Sequence, residues 1–330
     1  MNLDKWNDFL SRWARAVSSY ETPADFVYGA RVLSQKWEFD GKPLEVRVIV
    51  SPNNALRREL MAKQKTYVFQ KQQSEYIFRL DEKCFLCQNV VQAIDSIGNS
   101  LVPNNIISIE GSCMILPNRY PAFIGHSLFV PTNHDDTSHR ITPMTVTFGD
   151  DKKRQVYMPE QGKTAGDLMN SDYLANLIDV CNKYSLVALN NHVRDGMSIP
   201  GHKHFHLYPE DLELFSRAPT RFSPTEFGAG MNVDDTLFST LAFSMHSYDQ
   251  IDRAAETLQR MEQANEVFTL AYVNKVLFVS PRKNIPVGER IQIGAGVPVH
   301  FFGSEEGMKK TVSRYVPVKS DNYNWERFIK

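Results

Sequence analysis

The sequence predicts an α+β fold, with helices and strands both present, and three stretches carry that reading. Two of them set a helical pattern before strand-like runs: Ser171–Tyr184 ahead of Leu186-Val-Ala-Leu189, and Asp249 to Ala264 ahead of Val267–Ser280. The third is Ser198-Ile-Pro-Gly-His-Lys-His-Phe-His-Leu-Tyr-Pro209, where His202, His204 and His206 occupy alternate positions. Strand side chains alternate faces, so this spacing arrays the imidazoles on one side and Phe205 and Leu207 on the other.

The elements follow in order. Trp6, Phe9, Leu10, Trp13, Val17 and Tyr20 fall on one face of a first helix, spaced as a stripe that docks on a core rather than one kept for a partner or a membrane. Residues 36–50, with Trp37–Val50, read as a β-hairpin about Asp40-Gly41. The charged, Gln-rich run Lys63–Gln73 belongs on the surface. Residues 137–165, rich in charge and poor in apolar runs, are expected as an insertion. Ser171 is a candidate N-cap for a helix burying Leu174, Leu177, Ile178 and Cys181. Asn190-Asn191 ends the next strand, and a loop through Asp195-Gly-Met-Ser-Ile-Pro200 leads into the histidines.

The pattern breaks around Ala218–Pro224. A second module begins there, with a strand at Thr240–Met245, the helix from Asp249, and a hairpin turning near Asn274-Lys275. Its order of strand, helix and hairpin echoes the first module without the histidines. It is either a degenerate second half or an unrelated α+β extension. The expected division is 1–222, with the helical extension and the insertion, and 223–330.

Composition bounds the function. The chain of 330 residues is 42% apolar and 23% charged, as soluble globular proteins are. A net charge of −1 provides no global basic field for a nucleic-acid polymer. No stretch approaches the length of a membrane span, so no membrane partner is expected. The mixed charges of Met1–Trp13 are unlike a signal peptide, and Cys84, Cys87, Cys113 and Cys181 contain only one close pair, not a disulfide framework. A reducing cytoplasm is the expected setting.

Imidazole near neutral pH can be nucleophile, proton carrier or metal ligand, and three in register could divide those roles. The bland alternatives are a solvated histidine-rich strand or a satisfied core cluster. The flanks sharpen the choice. Helix, strand, Asn, Gly loop, His-x-His-x-His and the closing Pro209 resemble the core of the histidine-triad (HIT) superfamily. Asn118-Arg-Tyr-Pro-Ala-Phe-Ile-Gly-His-Ser-Leu-Phe-Val-Pro-Thr-Asn-His134 is similar to its other signature. Cys84-Phe-Leu-Cys87 ahead of that segment resembles the amino-terminal half of galactose-1-phosphate uridylyltransferases. Gly196-Met-Ser-Ile-Pro-Gly-His202 looks like the approach loop of diadenosine-tetraphosphate and GDP-hexose phosphorylases of the same branch.

The resemblance implies a HIT-like antiparallel sheet with flanking helices, in two HIT-like halves of which the second is degenerate. It further implies a nucleotidyltransferase or phosphorylase that cleaves a pyrophosphate bond in an NDP-sugar or dinucleoside polyphosphate. His204 would be the nucleophile, carrying the NMP before phosphate or a sugar phosphate accepts it. His206 would hold phosphate oxygens or the leaving group, with Ser198, Gly196 and Arg194 on the phosphate. Asn118 would contact the nucleoside and Asn191 the α-phosphate, although either could simply be a turn residue. His126 reads as structural.

Cys84, Cys87, His134 and His202 would bind one structural zinc, a Cys₂His₂ set suited to a closed tetrahedral site. A buried thiol pair or a redox motif is the alternative for a Cys-x-x-Cys. The resemblance also allows a homodimer. One departure stands out: the branch commonly carries Gln at the third triad position, where this chain has His206, as HIT hydrolases do. Water as the acceptor is therefore the rival reading. A non-catalytic nucleotide-binding protein is a further one.

Overall fold

In the computed structural model the described residues are 3–19, 86, 103–118, 121, 123–132, 169–191, 204–210, 239–264, 266–282 and 323–329. Nine further strands are described by backbone alone, at 31–39, 42–50, 67–72, 75–80, 141–147, 153–159, 222–224, 231–233 and 299–302.

Helix α1 (Leu3–Ser18) buries Phe9, Trp13, Ala16 and Val17, the stripe the spacing predicts, with Trp6 and Leu10 packed partly buried beside it. Asp4 in its first turn and Arg15 in its last complement the helix dipole. Tyr20 lies outside the described residues. Helix α2 (Ser171–Tyr184) buries all four predicted positions, but its N-cap is Asn170 and not Ser171. The Asn170 Oδ1 accepts from Tyr173 N at 2.7 Å, so the carboxamide one residue earlier satisfies the open N–H. Ser185, at φ +54°, ends the helix in the left-handed conformation and returns its N–H to Cys181 O. Helix α3 (Tyr248–Gln263) starts from Ser247 and buries Ile251, Ala254, Ala255, Leu258 and Met261. Among the described residues no helix is long and apolar enough to cross a membrane.

The strands are β1 (Arg31–Phe39), β2 (Lys42–Val50), β3 (Tyr67–Gln72), β4 (Glu75–Leu80), β5 (Ser108–Glu110), β6 (Cys113–Pro117), β7 (Ser127–Pro131), β8 (Ile141–Thr147) and β9 (Lys153–Pro159). They continue with β10 (Leu186–Asn191), β11 (Phe205–Pro209), β12 (Phe222–Pro224), β13 (Met231–Val233), β14 (Leu241–Ser244), β15 (Val267–Val273), β16 (Val276–Arg282) and β17 (Val299–Phe302). Phe39 pairs with Lys42, leaving Asp40-Gly41 as the expected hairpin loop. Val273 pairs with Val276, and Asn274 and Lys275, at φ +50° and +63°, make the second expected turn. The segment 137–165 contributes the paired strands β8 and β9, which join β3 and β4 in a separate four-stranded sheet. The charge-rich stretch is therefore a hairpin outside the main sheet.

That main sheet has ten strands, in the order β12-β13-β14-β16-β15-β10-β11-β7-β6-β5, every pair antiparallel. The order repeats. Within this sheet, a three-strand run, a helix and a strand pair form β5–β7, α2 and β10–β11, with β8 and β9 inserted outside it, and the same sequence of elements forms β12–β14, α3 and β15–β16. The two groups meet at β10 and β15, where Ala188, Leu189, Asn190 and Asn191 lie opposite Tyr272, Ala271, Leu270 and Thr269.

Alternation gives the sheet two distinct faces. Phe129, Phe205, Leu207, Phe268, Leu270 and Val279 point to α1, α2 and α3 in one large core. Each such fully buried side chain contributes roughly 1.5–3 kcal/mol. The opposite face carries Leu86, Ile106, Met114, Leu116, Leu128 and Val130 as a smaller cluster beside the histidines.

At the outer edge Glu110 of β5 ties to α2, with Lys183 Nζ at 2.8 Å and Tyr184 Oη at 3.2 Å, and Ser108 also donates to it. Burial works against the charge, yet these hydrogen bonds hold the Glu110 carboxyl below its ordinary value. A carboxylate with a depressed folded pKa lends stability above its unfolded pKa and loses it as pH falls through the folded one. Glu110→Gln should therefore cost about 0.5–1 kcal/mol at pH 7, the Lys183 head being partly exposed to solvent. Urea unfolding at pH 7 and pH 3 should show the variant and parent converging in acid; an unchanged gap would remove the ion pair as its cause.

Candidate active site

His204 stands immediately before β11 and His206 is its second residue, so the regular strand begins later than the three-histidine spacing suggests. His204 and His206 are 2% and 5% exposed, which excludes a solvated histidine-rich strand. Their rings meet edge to face with centroids 5.2 Å apart. Asn190, the penultimate residue of β10, fixes the start of β11, its buried Nδ2 donating to the His204 carbonyl.

Antiparallel pairing brings a third imidazole into the group. Leu207 lies opposite Ser127, so His126, just ahead of β7, falls beside Tyr208, and their rings stack at 4.4 Å. His126 Nε2 lies 3.1 Å from His206 Nδ1 and also 3.1 Å from Asn118 Nδ2. Asn118 reaches that point because β6 pairs with β7, Pro117 opposite Ser127, and its N–H donates to the His126 carbonyl at 3.0 Å. The same carbonyl accepts from Trp13 Nε1 of α1 at 3.1 Å.

The turn before His126 requires glycine. Gly125 sits at φ +84°, and a Cβ there would come within 2.9 Å of Trp6 Cη2. The sequence thus places α1 directly against the turn that aims His126.

Of the predicted site residues, the structure brings His204, His206 and Asn118 together. Asn191 is the last residue of β10, its backbone opposite Thr269. Ser198, Arg194, Gly196, Cys84, Cys87, His134 and His202 lie outside the described residues. Leu86, between the two cysteines, is fully buried in the cluster on the histidine face. Among the described residues no group of three or more His, Cys, Asp or Glu is arranged to hold a metal ion. Cys113 and Cys181 are buried in the helix-side core, where burial pushes the Cys113 thiol up to about 12 and raises Cys181 as well. Neither thiol is a nucleophile at neutral pH.

Sequence reasoning left out Asn190 and gave His126 no contact with the triad. For His126 a signal existed: a hairpin that opposes Pro117 and Ser127 also opposes Asn118 and His126.

No protein-family model matches the sequence, and a search of curated proteins finds no match. Solved structures do match. Yeast Ap4A phosphorylase Apa2 in complex with Ap4A aligns at a TM-score of 0.50 and 10% identity, covering 94% of this chain and 92% of that one. The chain has the fold of yeast Ap4A phosphorylase. The same enzyme in complex with AMP aligns at 0.49 and 13% identity, over 93% of this chain and 90% of that one. The antiparallel sheet with flanking helices agrees with the α+β class expected from the sequence. The Ap4A phosphorylase likeness extends over nearly the whole length, the second strand group included.

Proposed function

We propose that this protein is a HIT-like nucleotidyltransferase or phosphorylase that cleaves a nucleotide pyrophosphate bond through an NMP carried on His204. The observation that carries the reading is the pair of buried imidazoles, His204 and His206, side by side on one face, with His126 Nε2 3.1 Å from His206 Nδ1. The Ap4A complex of the yeast enzyme with this fold favours a dinucleoside polyphosphate, with an NDP-sugar as the other candidate.

In the first step a ring nitrogen of His204 bonds the α-phosphorus as the bridging P–O bond breaks and the leaving phosphate departs with that electron pair. In the second an acceptor oxygen bonds the phosphorus and the P–N bond breaks. Splitting one displacement in two lets a different acceptor enter between them. Ser198, Gly196 and Arg194 would face the phosphate, with Asn118 and Asn191 nearby. We read β12 to β16 with α3 as the degenerate second half: on the face that carries imidazoles in the first group, it pairs Thr240 with Ser280 at 2.8 Å.

A structural zinc on Cys84, Cys87, His134 and His202 belongs to the same proposal, and it would brace the start of the catalytic strand. Three described neighbours support the fit. Leu86 docks on the histidine face, Thr132 directly follows β7 and stands two residues before His134, and His204 follows His202 by two. Because Phe205 lies opposite Phe129, those ends of β7 and β11 adjoin.

His206, in place of the branch's usual Gln, favours a second reading with water as acceptor. Labelled dinucleoside polyphosphates and NDP-sugars, incubated with and without orthophosphate, separate the two. Orthophosphate should convert the product from NMP to NDP and speed turnover of the right substrate. NMP as the sole product at saturating phosphate, with no capture by sugar phosphates, would replace the phosphorylase reading with a hydrolase. Binding without turnover would leave only a nucleotide-binding protein.

A further inference from the structure

Asn190 is a carboxamide at an apolar position. Opposite residues of paired strands share a face, and Asn190 lies opposite Leu270 and two residues beyond Ala188, both of which belong to the large core against the helices. Its side chain is buried, at 3% exposure. Burying an amide costs free energy that an apolar residue of similar shape would not, even when the amide is hydrogen-bonded. For stability alone a leucine would serve.

The two registers of β10 show what the amide does there. With β11 the pairing runs from Leu186↔Pro209 to Leu189↔His206, and with β15 from Ala188↔Tyr272 to Asn191↔Thr269. At Asn190 and Asn191, β10 is thus still held by the second strand group, whereas among the described residues no further rung joins it to β11. His204 stands in that interval, one residue ahead of β11. Across it the Asn190 Nδ2 donates to the His204 carbonyl. That oxygen belongs to the peptide between His204 and Phe205, and Phe205 is fully buried opposite Phe129 of β7. Holding the oxygen sets the peptide plane next to the Cα that carries the imidazole.

We propose that Asn190 is a positioning residue for His204, its carboxamide holding the backbone of the nucleophile where the β10–β11 ladder has stopped. Because β15 pairs with Asn190 itself, the second strand group acts through this side chain on the aim of a ring in the first. The attacking nitrogen must approach the α-phosphorus in line with the P–O bond that breaks, and a turned peptide takes it off that line. The inference deepens the nucleotide-transfer reading and rests on it for the effect on rate, not for the hold on His204.

Asn190→Leu keeps the approximate shape of the side chain and removes the donor. In single-turnover reactions with an α-³²P dinucleoside polyphosphate, label transfer at saturating substrate should slow about 100-fold in this variant, the scale of a misplaced reacting group. The half-saturating concentration and the final label per chain should stay near those of the parent. A residue that served the fold alone would behave otherwise, since loss of folded protein lowers the amount of label and leaves its rate. Ring ¹H–¹³C spectra of the full chain, with His204 assigned through His204→Ala, read the hold without any chemistry. The parent should show one sharp His204 set, and Asn190→Leu several sets or a broadened one, with exposed His246 unmoved. Asn190→Ala should do the same and serves if the leucine variant does not fold.

An unchanged rate or an unchanged His204 spectrum in a folded variant overturns the proposal, and so does less label at the parental rate. Several His204 sets in the parent overturn it without any variant. A parent with one His204 set that the variants disturb, but with no label transfer, sinks the nucleotide-transfer reading and leaves the hold standing.

Discussion

His204→Ala will abolish nucleotide transfer, by about 10⁴-fold or more, and leave the sheet folded. Removing a nucleophile removes the covalent path itself, and losses of that order follow when such a residue is deleted. The fold should survive because the tie from Asn190 runs to the His204 carbonyl, which alanine keeps. Truncating a buried ring still costs on the order of 1–3 kcal/mol, visible as a lower midpoint in urea. Acid-labile label from an α-³²P nucleotide should attach to the parent and not to the variant. Equal labelling and turnover in both would take His204 out of the bond-forming role.

The second large effect is expected at the metal. Protein purified without added metal should hold about one zinc per chain, as closed four-coordinate sites do. Cys84→Ser/Cys87→Ser should lose it together with several kcal/mol of stability, because a structural zinc supplies about 10 kcal/mol or more of binding that folding uses. Leu86 makes the damage local and traceable: it anchors the cysteine segment among Met114, Leu116, Leu128 and Val130. Hydrogen exchange should therefore quicken first in β6 and β7. A metal-free wild type that is fully active and no less stable would defeat the zinc assignment.

What could be read from the sequence was whatever a short window encodes. The stripe of α1, the buried positions of α2, and the turns at Asp40-Gly41 and Asn274-Lys275 each depend on neighbours within a few residues. Ser171 failed as the N-cap only because two capping residues stand in succession and Asn170 took the position. The site was half legible. His204 and His206 announce themselves by alternation, whereas the contact of His126 with His206 joins residues 80 apart through the pairing of β7 with β11. Asn190 was hidden by its neighbour Asn191, since a repeated residue type does not reveal which of the two reaches the next strand.

The seam between β10 and β15 has a consequence for any shortened form of this chain. Leu186–Asn191 is now an interior strand, satisfied by β11 on one side and by Thr269–Tyr272 on the other. A polypeptide stopped before β12 would turn it into a bare edge with unmatched N–H and C=O groups, and such edges recruit other strands. Two truncated copies would meet antiparallel along β10 and restore the lost width by self-association. In the full chain that surface is already spent on the chain's own second group, which leaves β5 and β12 as the edges of the main sheet.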